Sequence, residues 1–109
     1  MIMKDLAIAI MKIAEQNPNG FTISLSDLKP ITTGFAIAHK ETQNSFGLDG
    51  LYRVIEFASR TTNIIGGWNA EKGFYFDAVM IVHDLETALM LKEEHEQLAI
   101  YHIDSNTVY

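Results

Sequence analysis

"VMIVHDLETALMLKEEHEQLAIYHI", residues 79–103, decides how the chain folds. Val79 to Val82 is an apolar run of strand character, Asp84 is a residue type that caps helix starts, and helix formers follow it. The pattern predicts a helix over 85–97 and a strand over "LAIYHI", 98–103. A strand, a helix and a strand in that order fit a parallel crossover. A helix returning antiparallel across one sheet face stays open beside it.

Immediately upstream, "NIIGGWNAEKGFYFDA" (63–78) reads as a hairpin with its tip at Asn69 to Gly73, a loop of four or five residues. Gly73 suits the positive φ such a loop demands. Gly66 and Gly67 then face Phe74, Tyr75 and Phe76, and an aromatic ring covers a strand glycine that has no side chain of its own. Trp68 falls near the tip. Asp77 interrupts the apolar series, which predicts a bend or bulge there.

Further back, Leu48, Leu51, Tyr52, Ile55, Ala58 and Ser59 mark one face of a second helix, about 47–61. Its other face carries Asp49 with Arg53 and Glu56 with Arg60, two acid-to-base pairs at i,i+4. "GFAIAHK" (34–40) and "FTISL" (21–25) alternate as strands, with Phe35, Ile37 and His39 on the better core face. Met3, Leu6, Ala7, Ile10, Ile13 and Ala14 form one stripe of a first helix over 2–16, which "NPNG" (17–20) ends. The order is αββαββαβ: one α+β domain over 1–109, with three helices and about five mainly antiparallel strands.

Composition narrows the function classes. A chain of 109 residues, 48% hydrophobic and 20% charged, has enough apolar surface for its own core. The absence of cysteine removes disulfides and thiolate metal sites, so the cytoplasm is the expected compartment. No run approaches the ~18 apolar residues of a membrane span. The net charge of −6 is placed unevenly. Residues 1–70 hold six acids and six bases, whereas 71–109 hold eight acids against Lys72 and Lys92. No basic stripe exists to meet phosphates, which argues against direct nucleic-acid binding.

Two places invite a ligand or partner. "AHKETQNSFG" (38–47) runs from strand to helix, where unpaired helix N–H groups favour anions, and His39, Lys40, Thr42, Gln43 and Ser45 are candidates to hold a carboxylate or phosphate. The competing reading has Asn44 or Ser45 capping the helix while Thr42 and Gln43 satisfy loop backbone. A hydrolase with Thr42 or Ser45 as nucleophile and His39 as base is a third option, with no motif behind it. The second place is the third helix. On a wheel, Leu85, Ala88, Leu89 and the stem of Lys92 share the buried face, while Glu86, Glu93 and Glu94 surround Met90 opposite. That face suits a basic, partly apolar protein partner. Ile8, Trp68 and Met90 as exposed apolar residues leave a homodimer open.

The four histidines show no HxH or HxxxH spacing, so no metal site and no cofactor is expected; only His83 and His102 end strands that would be neighbours.

The TQNSFG link in "GFAIAHKETQNSFGLDGLYRVIEFA" (34–58), the GGW hairpin and the closing "QLAIYHID" together span residues 34–104. In these features the chain resembles small uncharacterised proteins carried on phages and conjugative elements of gut anaerobes. The resemblance implies an accessory protein of a mobile element, directed at a host protein, and supplies no site residues.

Overall fold

A computed structural model describes residues 2–109 and shows an α+β fold. Helix α1 is Met3–Gln16, β1 Phe21–Ser24, β2 Phe35–Ala38, β3 Ser45–Phe46 and α2 Gly47–Ser59. They are followed by β4 Ile64–Ala70, β5 Gly73–Val82, α3 Leu85–Glu94, β6 Tyr101–His102 and β7 Thr107–Val108. The expected order holds, with two additional strands of two residues each, β3 and β7. All pairings are antiparallel, in the order β1-β4-β5-β2-β6-β7, with β3 also beside β5.

Strand β5 is the spine. Its residues 73–78 pair with β4 along one edge, while on the other edge residues 75–76 pair with β3 and residues 79–82 with β2. The register runs unbroken through Gly66↔Asp77, so the bulge expected at Asp77 is absent. Asp77 marks instead the point where β5 changes its neighbour. The hairpin is also tighter than expected: Ala70 opposes Gly73 across Glu71 and Lys72, a two-residue turn with Gly73 at φ +133°. Gly67 is covered as anticipated, by Phe76 and by the ring of Phe21 from β1.

Strands β5 and β6 are both antiparallel to β2, which lies between them, and so run parallel to each other. The β5–α3–β6 unit is a crossover that skips one strand. Its last strand is shorter than 98–103, and α3 stops at Glu94 rather than residue 97. The cause is a helix end in which Glu96 takes φ +54° and the Gln97 N–H bonds the Lys92 carbonyl.

The helices share one sheet face. Ala7, Ile10 and Ala14 of α1 and Leu51, Val54, Ile55 and Ala58 of α2 pack on Ile23, Ile65, Phe76 and Ala78. Phe76, Ala78, Met80 and Val82 alternate onto that same face, and α3 meets its far half through Ala88 and Leu91, beside Phe35, Ile37 and Ile100. No helix among the described residues packs on the opposite face. Among the described residues, no helix is long and apolar enough to cross a membrane.

Candidate functional site

Residues 39–47 form a braced corner. After β2 the chain makes a 3₁₀ turn at Lys40–Thr42, passes Asn44 at φ +63°, pairs briefly as β3 and enters α2 at Gly47. Neither Asn44 nor Ser45 caps α2; the N-cap is Phe46, with no side-chain bond. Ser45 is buried and faces inward, donating to the Thr42 carbonyl at 2.6 Å. Arg53 completes the brace, donating to Ser45 Oγ at 2.6 and 3.0 Å and to the Gln43 carbonyl at 2.8 Å. It therefore makes no pair with Asp49; only Glu56–Arg60, 3.8 Å apart at the surface, follows the i,i+4 rule.

Thr42 plugs the gap between β3 and β2. Its buried Oγ1 accepts from Ala78 N–H at 3.0 Å. The hydroxyls expected to greet an anion, Thr42 and Ser45, are thus engaged within the chain, while Lys40, Gln43 and Asn44 are exposed. Replacing Thr42 with Val keeps the shape and orphans a buried N–H. A loss of about 1.5 kcal/mol is expected in urea unfolding, and a loss below about 0.5 kcal/mol would show that the hydroxyl is not structural.

His39 faces the helices, edge-on to Phe57 at 5.1 Å and to His95 at 5.0 Å. Neither of its ring nitrogens has a hydrogen-bond partner, so no bond joins it to Thr42 or Ser45 as a base to a nucleophile. Burial, and then the neighbouring His95, hold His39 below the usual histidine range. The histidines that meet are thus His39 and His95, with Glu41 beside both, although no sequence spacing brings them together. His102 stacks on Phe35 at 4.2 Å and bonds Ser105.

The helix-free face was not foreseen as a site. Here the sheet forms a trough of about 750 Å³, with Ala36, Ala38, Gly66 and Val79 among its floor residues and Trp68 and Tyr101 along it. Asp77 lies in this face and also lines an adjoining cavity of about 520 Å³ beneath the 39–44 corner. Gly66 makes room for it, since a Cβ there would come within 2.9 Å of Asp77 Oδ1. Burial alone pushes the Asp77 carboxyl up to about 7, with no cation among the causes. Trp68, stacked on Tyr75 at 5.1 Å, stands half-exposed at the mouth. Such a surface can accept an apolar body with one donor directed at Asp77. The sequence signal was present: small residues at alternate strand positions opposite a lone acid.

The third helix presents a different face from the one expected. Asp84 caps it, its Oδ2 accepting from both the N–H and the hydroxyl of Thr87 at 2.9 Å. The buried stripe is Ala88, Leu91 and His95, rotated away from Leu85 and Leu89, which are exposed. Glu86, Met90, Glu93 and Glu94 are exposed as anticipated. Leu98, just beyond, is 98% exposed.

Comparison of the chain with protein-family models, with curated proteins and with solved structures finds no match.

Proposed function

We propose that the protein is a binding protein whose α3 face engages a basic protein partner. The supporting observation is the composition of α3: Leu85, Leu89 and Met90 are exposed on the helix, Glu86, Glu93 and Glu94 are exposed on it too, and Leu98 is exposed just beyond its end. Exposed apolar groups gain by being covered, and neighbouring carboxylates select a cationic cover. An isologous dimer through this face would set the carboxylates of two copies against each other, so a second copy is the weaker occupant. An accessory role on a mobile element, with a host protein as partner, accords with this surface.

A photo-crosslinking residue placed at Met90, with Asp49 as the control position, tests the reading. Position 90 is expected to give a discrete adduct whose yield falls between about 0.1 and 1 M salt, as the Debye length shrinks from ~10 to ~3 Å. Reversing Glu86, Glu93 and Glu94 to Lys should remove the adduct. Equal adducts from positions 90 and 49, or one only at twice the chain mass, would overturn it.

A further inference from the structure

We propose that His39, Glu41 and His95 form a binding site for a zinc-like divalent transition metal. The three residues come from the end of β2, the 3₁₀ turn and the C-terminus of α3, and their donor atoms lie within 4.8 Å of one another. Glu41 Oε1 is 3.6 Å from His39 Nδ1 and 3.7 Å from His95 Nδ1. Ligands at ~2.0–2.2 Å around a tetrahedral zinc ion stand roughly 3.3–3.5 Å apart, so two of the edges are already close to the required length.

The second observation is independent of that spacing. Both ring nitrogens of His39 are buried and without a hydrogen-bond partner. Polar atoms removed from water normally find a partner, and a metal ion satisfies an imidazole nitrogen directly. His95 is already oriented, because its Nδ1 accepts the Lys40 N–H at 3.2 Å. A metal ion at Nδ1 takes that lone pair in place of the Lys40 N–H. Two imidazoles and a carboxylate suit zinc, cobalt or nickel better than calcium or magnesium. Glu41 is exposed, so a fourth position opens to solvent for water or an outside ligand.

Titration of the metal-free protein with Zn²⁺ and Co²⁺ tests the site. The expected result is one equivalent bound, a higher melting temperature with Zn²⁺, and the intense visible bands of tetrahedral Co²⁺. His39→Gln, His95→Gln and Glu41→Gln should each weaken binding by about 100-fold or more, since even outer-shell substitutions cost 10–100-fold. His83→Gln and His102→Gln should bind as the parent does. Glu41 is a surface residue, so its variant keeps the test valid if a histidine variant fails to fold. Zn²⁺ binding unchanged in Glu41→Gln, lost in His83→Gln or His102→Gln, or absent from the parent would overturn the proposal.

Discussion

Asp77→Asn is expected to stabilise the protein by about 3 kcal/mol near pH 8 and by almost nothing near pH 4. The Asp77 carboxyl rises from 3.8 to about 7 on folding because the surrounding protein removes its water. Below the lower value both states hold the proton and folding carries no cost. As pH rises between the two values, the unfolded chain gives up the proton while the folded chain keeps it, so stability falls. Above about 7 the cost is complete and constant. A shift of this size has a ceiling of about 4 kcal/mol, and the trough's contact with solvent lowers what is realised. Asparagine keeps the shape and cannot ionise. Urea unfolding of both proteins at the two pH values measures the difference between them, in which other titrating groups cancel. Equal stabilisation at both pH values would show that Asp77 is not desolvated in this way.

Gly50→Ala should destabilise the protein by about 3 kcal/mol, against the direction of helix propensity. Alanine in a helix interior is favoured over glycine by ~1 kcal/mol. At position 50, however, a Cβ would lie 2.4 Å from the carbonyl carbon of Ser45 and 3.0 Å from its Cα. These are backbone atoms of β3, which is paired to β5 at Ser45↔Phe76 and held by Arg53. Neither α2 nor β3 can move aside without disturbing Phe76 and Leu51 in the core, and overpacking of this kind costs about 1–3 kcal/mol or more. Chemical denaturation decides the sign. A stabilised Gly50→Ala variant would mean that α2 and β3 separate at little cost.

What could be read from the sequence was what neighbouring residues determine. The Asp84 cap lies three residues from the amide that donates to it, the α1 stripe repeats within a few turns, and the covered Gly67 follows from hairpin register. The missed features join distant residues. His39 and His95 meet only once α3 lies across β2, and no short motif encodes that crossing. Arg53 fits the i,i+4 rule with Asp49, yet the desolvated Ser45 hydroxyl and the Gln43 carbonyl take its donors. The α3 wheel misled because Leu85 and Leu89 are the more apolar choice, whereas packing against Ile37 and Ile100 selects Ala88 and Leu91, and His95 turns in against His39. Two-residue strands such as β3 and β7 are too short to show a period.

The two outer margins of the sheet also govern how the molecule meets copies of itself. Along β1 the spare backbone groups are occupied from within: Ile31 N–H bonds the Thr22 carbonyl, Ser24 N–H bonds the Lys29 carbonyl, and Pro30 sits between them. At the other margin β7 offers only Thr107 and Val108. A proline-guarded rim and a two-residue rim are poor templates for adding strands from another chain, and so guard against fibrous aggregation. The open trough face and the apolar residues of α3 can therefore stay uncovered without the sheet propagating from molecule to molecule. Association is left to side chains.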